Sequence, residues 1–340
     1  MNQRCVGTRR PDTVSECGLL GRRNDRGWQH RQDASDSMQS GVHAGRRPPR
    51  ARGQQMNQVA VVTDSVACLP PAVAARYSIH LIPVRVRVGE VEYEDLSPDL
   101  SPQVVHQLQT EPQIDTTPWP PEHYCRAYLA QAVTTDAIVH VVAFSRFTST
   151  VSLAMAGASM AREIHPGLRI ELVDSASTGM AQGFAAIEAA RAAQAGGGLD
   201  VVAAAAERAV RNTASAFALE SLGYLARTGR VGRLYAWAGA VLKVKPVVAL
   251  VGGSEHPVAL ARSNSQALRR AADYVAGRVE TGAGVQVAVM DSDCPPEARE
   301  LAQLLSARMQ ITELYEAPFT PVMRLVAGPG VVGVAIHTPQ

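Results

Sequence analysis

The sequence predicts an α/β fold: an N-terminal parallel-sheet α/β domain, then a C-terminal mixed α+β domain, the two preceded by a disordered extension. Three observations predict it. Strand-like and helix-like patterns alternate from residue 59 to 195, which argues for a parallel sheet with helices on both faces. After about residue 215 short strand-like runs dominate and include a hairpin signal. The first 55 residues carry neither pattern. The domains are placed at 1–55, 56–213 and 214–340, with a ligand expected between the last two.

The first strand is Val59-Ala60-Val61-Val62-Thr63, an apolar run that suits a strand covered on both faces. Asp64 and Ser65 follow at its C-terminal end, the edge where open α/β sheets bind ligands. The same two residue types are also favoured helix caps. Helices are then predicted near 70–76, 101–109, 122–132, 149–163 and 177–195, and strands at 79–88, 137–143 and 169–173. An irregular Pro-rich loop spans 111–121, and Gly196-Gly197-Gly198 stops the longest helix. In the second part, strands are predicted at 215–219, 246–251, 257–262, 285–290, 311–316 and 331–336. Helices are predicted near 221–226, 234–242, 264–278 and 295–308. Val251-Gly252-Gly253-Ser254 is the hairpin signal.

Composition bounds the function class. Residues 1–55 hold 11 Arg and no Lys against 5 acidic residues, a surplus of six positive charges. The whole chain is +2, so the remainder carries a surplus of four negative charges. The basicity therefore belongs to the extension, which has few aliphatics and no period and reads as disordered. The first strand follows Met56 so closely that translation from Met56 is the simpler expectation than a nucleic-acid-binding arm. No apolar run reaches the roughly 20 residues needed to span a bilayer. Five cysteines without a CxxC pair suit reduced cytoplasmic thiols, not a disulfide framework or a zinc site.

Further segments occur in a telling order: Ile82-Pro83-Val84 with Tyr93-Glu94-Asp95; Thr116-Thr117-Pro118-Trp119-Pro120; Ser145-Arg146-Phe147-Thr148-Ser149; Val173-Asp174-Ser175; Leu222-Gly223-Tyr224-Leu225 with Thr228-Gly229-Arg230-Val231; Lys243-Val244-Lys245-Pro246-Val247; and Gly328-Pro329-Gly330. With the Val59–Ser65 run, this ordered set resembles the DegV family of bacterial fatty-acid-binding proteins. It covers about residues 56–336. The resemblance implies a two-domain fold with a long-chain fatty acid between the domains, no metal and no other cofactor. It also implies a non-catalytic role, in which a separate fatty-acid kinase phosphorylates the bound carboxyl group. Burying the methylenes of such a ligand yields about 0.8 kcal/mol each, so the tail supplies most of the affinity. The buried carboxylate must find donors.

The resemblance also places those donors. Counting back from Tyr124 and Tyr128, the family's Thr-Ser-Gln-Pro falls on Thr116 and Thr117, and a one-residue shift makes Thr117 the threonine match. Ser145 and Ser149 match two serines of the family's Ser-Ser-x-Leu-Ser-Gly-Thr pattern, while Arg146 replaces a serine, Thr150 a glycine and Val151 a threonine. Read from the residues alone, Ser149 or Thr148 is a helix cap, and both roles are compatible. Arg230 takes the arginine of the family's Gly-Gly-Arg-Ile, and its guanidinium can hold a carboxylate bidentately. Asp64, Ser65, Arg146 and Arg262 are weaker candidates. Family members commonly carry a histidine two residues before Gly-Pro-Gly, where this chain has Val326.

Competing motifs fail on context. Gly328-Pro329-Gly330-Val331-Val332-Gly333 satisfies G-x-G-x-x-G, but a strand pattern follows where a dinucleotide site requires a helix. Asp291-Ser292-Asp293 reads as a turn leading into a helix. No HExxH or G-x-S-x-G occurs. The alternatives are a phosphoryl-transfer enzyme acting on a small carbonyl compound, which would need a nucleophilic histidine at the ligand, and a lipid-sensing interaction protein using the basic extension. No nucleic-acid partner is expected.

Overall fold

A computed structural model of the chain describes residues 59–111, 113–230, 234 and 244–339. The extension 1–55, the start at Met56, Cys5 and Cys17 lie outside the described residues, as does the helix predicted near 234–242 apart from Leu234.

The first sheet is parallel throughout, in the order β2-β1-β5-β6. Its strands are β1 (Ala60–Asp64), β2 (Ile79–Ile82), β5 (Ala137–Val142) and β6 (Arg169–Asp174). Every residue of β5 is buried, as befits a central strand with helices on both faces. On one face lie α3 (Pro121–Gln131) and α4 (Thr150–Ile164), with Tyr124, Tyr128, Ala154 and Ala158 packed on Val62, Ile138 and Val142. On the other lie α5 (Met180–Gln194) and α6 (Leu199–Arg211), over Val61, Val139 and Val173. The helix α1 (Pro71–Tyr77) joins β1 to β2 and begins with proline at its first turn, where the missing N–H costs no bond.

The strand predicted at 79–88 is two strands. Pro83 has no N–H to continue the ladder. The chain leaves the sheet after Ile82 and forms a hairpin of β3 (Arg85–Val88) and β4 (Val91–Glu94). Gly89 at φ 60° starts its two-residue turn, a conformation that favours glycine. The loop predicted as irregular adds to this hairpin, because Arg87 and Asp115 exchange two backbone hydrogen bonds. The short α2 (Pro102–Leu108) lies between them in sequence.

The second sheet is mixed, in the order β11-β10-β12-β7-β8-β9. Its strands are β7 (Thr213–Ala218), β8 (Lys245–Val251), β9 (Ser254–Ala261), β10 (Gly284–Asp291), β11 (Gln310–Glu316) and β12 (Val332–His337). Only β10 and β11 run parallel; the other neighbours are antiparallel. Period-two alternation sorts its residues. Val287, Val289, Val334 and Ile336 face α8 (Asn264–Ala276) and α9 (Pro295–Ser306). Ala288, Met290, Ala335 and Phe217 join the cluster around α5. Eleven of the 15 residues of α5 are buried, because it touches β1, β2 and β5 of one sheet and β7 and β12 of the other. Arg191 on α5 fastens this region from the side. It donates to the Tyr77 hydroxyl at 3.0 Å and to Glu313 on β11 at 2.9 Å.

Two short helices complete the description, α7 (Gly223–Arg227) and α10 (Pro321–Ala327). The second is absent from the sequence expectation. Thr320 caps it by accepting from Met323 N, and Pro321 opens it.

Candidate ligand-binding site

An apolar cavity lies between the ends of the two sheets. Val66, Val84, Phe144 and Phe147 wall it from the first. Phe217, Leu219, Val248 and Leu250 wall it from the second, and Val322, Met323, Val326 and Ala327 of α10 close it. The cavity meets an open polar cleft, and Thr116, Pro118, Phe147, Thr148, Arg230 and Glu255 line both. That shared rim is the polar mouth of an otherwise greasy space, the form expected of a site for an amphiphile.

Arg230 dominates the rim. It is half-buried and donates from Nη1 to the Thr116 hydroxyl at 2.7 Å and to the Thr228 carbonyl at 3.3 Å. Among the described residues no carboxylate lies within ion-pair distance of it, and burial pulls its pKa below the ordinary arginine value. A partly desolvated cation whose partners among the described residues are neutral oxygens is suited to an anion.

The loop carrying Thr116 is held from both ends. Trp119 donates its indole N–H to the Pro83 carbonyl at 2.7 Å and stacks on His123 at 4.4 Å. The Asp115 carboxylate accepts from Thr117 N and from the Thr117 hydroxyl at 2.8 and 2.6 Å and pairs with Arg87 at 2.7 Å. Those partners hold the Asp115 carboxyl below its usual range. Thr117 thus commits its hydroxyl proton to Asp115 and lines only the cleft, whereas Thr116 lines cavity and cleft together.

Ser149 sits at the N-cap of α4, yet its side chain makes no capping bond. Thr148 takes that work, accepting from Thr150 N at 3.3 Å. Ser149 is exposed on the wall of the cleft. Arg146 lines the cleft too and reaches Glu255 at 3.5 Å.

Four sequence candidates stand apart from this rim. Ser145 lines neither space, and its N–H is directed to the Asp174 carboxylate at 3.3 Å. Asp64 is fully buried beneath the site: it accepts from Ala143 N at 2.8 Å and from Gln182 at 3.3 Å. It pins the turn that delivers Phe144. Ser65 is equally buried, donating to Asp95 at 2.6 Å and accepting from Val84 N at 3.1 Å. Both residues build the sheet edge instead of facing the cavity. Arg262 is exposed at the end of β9, outside both linings.

Residues that sequence reasoning missed include Glu255, which the β8–β9 hairpin delivers to the rim, and Arg227 in the cleft wall. Arg227 is held by the carbonyls of Gln109, Glu111 and Leu325. Asp95 is the chief supporting residue. Its carboxylate accepts from Ser65 and from Val322 N at 3.0 Å, so one side chain joins β1, the hairpin and the first turn of α10. Burial raises its pKa. Val326, at the position for which the resemblance implies a histidine, is part of the apolar lining, and among the described residues no histidine lines either space.

Gly328 ends α10 at φ 92°, and a Cβ there would meet the Tyr224 ring at 2.4 to 3.0 Å. Both the backbone and the ring demand glycine. Gly328→Ala is expected to lower the unfolding free energy by about 2–4 kcal/mol in urea titration. A loss below about 0.5 kcal/mol would show that the ring yields freely.

The family model described as "Uncharacterised protein, DegV family" matches residues 58–338. The chain belongs to the DegV family. A DegV domain-containing protein of Streptomyces coelicolor is 32% identical over 282 residues, spanning 82% of this chain and 98% of that relative. Among solved structures, a DegV family protein of Thermus thermophilus described for its fatty acid binding superposes with a TM-score of 0.75 at 23% identity, covering 83% of this chain and all (100%) of that one. DegV of Bacillus subtilis, described as a fatty acid binding protein, superposes with a TM-score of 0.71 at 25% identity, covering 83% and 99%. Among the described residues no helix is long and apolar enough to cross a membrane, and no cluster of metal-ligating side chains occurs.

Proposed function

We propose that this DegV chain is a non-catalytic carrier of a long-chain fatty acid. The acyl chain fills the apolar cavity, Arg230 and Thr116 hold the carboxylate at the rim, and Ser149 reaches it from the cleft wall. The observation that carries this reading is Arg230, a half-buried cation without a carboxylate partner among the described residues, at the mouth of a space lined by Phe, Leu and Val. The Bacillus subtilis relative supports it by its described activity. The carboxyl end faces the open cleft, which suits presentation to a separate kinase that forms an acyl phosphate there. Three buried free thiols, Cys68, Cys125 and Cys294, accord with a reducing cytoplasm.

Native mass spectrometry of the purified protein, followed by denaturing extraction, tests the reading. A co-purified fatty acid is expected. A protein that arrives empty and refuses added fatty acids would sink it. Ser149→Ala is expected to weaken binding about 3- to 10-fold, the worth of one hydrogen bond, with the unfolding curve unchanged. Unaltered affinity would remove Ser149 from the head-group site.

A further inference from the structure

Two hydroxyl groups form a short hydrogen-bonded chain on the cavity wall: those of Thr148 and Thr150 lie 2.8 Å apart. Thr148 and Thr150 both line the apolar cavity, and Thr148 lines the cleft as well. An acyl chain of methylenes has no use for them. The inventory of protons and lone pairs shows what is left over. Thr148 already accepts from Thr150 N. If Thr150 donates to Thr148, the Thr148 proton is free; if the chain runs the other way, one Thr148 lone pair is free. Either direction leaves one unused position at the rim, and a group that can both donate and accept fits both. That group is a hydroxyl. Glu255, lining the same two spaces with Arg146 at 3.5 Å beside it, adds a carboxylate oxygen that accepts. It favours a donor on the ligand over a ketone.

We propose that this site selects acyl acids carrying a hydroxyl close to the carboxyl group, with Thr148 as the residue that reads it. Closeness follows from Thr148 sharing the rim with Thr116 and Arg230, which are assigned to the carboxylate. The inference rests on the fatty-acid reading of the same cavity.

The test is calorimetric titration of the delipidated full chain with hexadecanoic, 2-hydroxyhexadecanoic and 3-hydroxyhexadecanoic acids. At least one hydroxy acid is expected to bind about 5- to 10-fold tighter than the plain acid. Thr148→Val is expected to bring that ratio to within twofold, and Thr148→Ser, which keeps the hydroxyl, to preserve it. Equal affinity for all three acids overturns the inference and leaves the carrier function standing. A preference that survives in Thr148→Val overturns it also, since the hydroxyl is then read elsewhere. Should Thr148→Val fail to fold, the wild-type series decides. Failure to bind any of the three acids overturns the carrier function and this inference with it.

Discussion

Arg230→Met is expected to lower fatty-acid affinity about 10- to 100-fold while leaving the unfolding free energy unchanged or higher. The two halves have one cause. A charge-assisted bond to a carboxylate is worth about 1.5–3 kcal/mol, and methionine cannot make it. Among the described residues, however, the guanidinium donates to the Thr116 hydroxyl and the Thr228 carbonyl, with no carboxylate at ion-pair distance to offset its lost hydration. Removing it relieves that cost, the trade of stability for activity that binding sites commonly show. Titration calorimetry and urea unfolding on one preparation check both halves. Affinity within twofold of wild type would remove Arg230 from the site. A large loss of stability would recast it as a structural residue.

Asp95→Asn is expected to cost about 2–3 kcal/mol of stability. Both Asp95 oxygens accept, from Ser65 and from Val322 N; an asparagine keeps its one acceptor for Val322 N and turns its NH2 to the Ser65 hydroxyl, whose buried proton then loses its acceptor. The effect depends on pH, with a definite sign. Burial raises the Asp95 pKa above its ordinary 3.8, so the folded state holds this proton more tightly than the unfolded chain does. Its contribution is therefore fully present below 3.8 and declines as pH rises through the raised value. The deficit of Asp95→Asn relative to wild type should be larger at pH 4 than at pH 7. Urea titrations at the two values check it, and a deficit that grows toward neutrality would show that the carboxylate is stabilised, not penalised, by its surroundings.

Much of this architecture is legible in the sequence because its signals are local. The run Val59–Thr63 and the period-two strands of the second sheet announce themselves. What misleads is proline. Pro83 looks like a blemish in one strand and is the point where two strands part. Pro318 and Pro321 look like loop, yet Thr320-Pro321 is a cap followed by a proper first turn. The site divides in the same way. Thr116, Ser149 and Arg230 are found through ordered motifs, and the structure brings all three to one cleft. Glu255 has no motif: the β8–β9 hairpin is legible, but its placement beside Thr116 and Arg230 is a long-range fact that no window of sequence holds. Asp64 and Ser65 have the residue types of a site and the burial of a foundation. Composition cannot tell these apart, since a carboxylate at a strand end can bond a ligand or the next loop equally well.

The double contact of α5 bears on how the chain is made. Synthesis runs from the N-terminus, so the first sheet and α5 leave the ribosome before β7, and β12, at Val332–His337, emerges after every other described strand. Until then the side of α5 that belongs against the second sheet has nothing to lie on, and Phe184 lacks both Tyr315 and His337 as ring neighbours. A nascent chain of this protein therefore carries a sticky flank from the emergence of α5 until that of β12. A nascent chain arrested with residues up to about 215 outside the ribosome should display that flank to a trigger-factor-type chaperone, and one arrested with all of β12 outside should not.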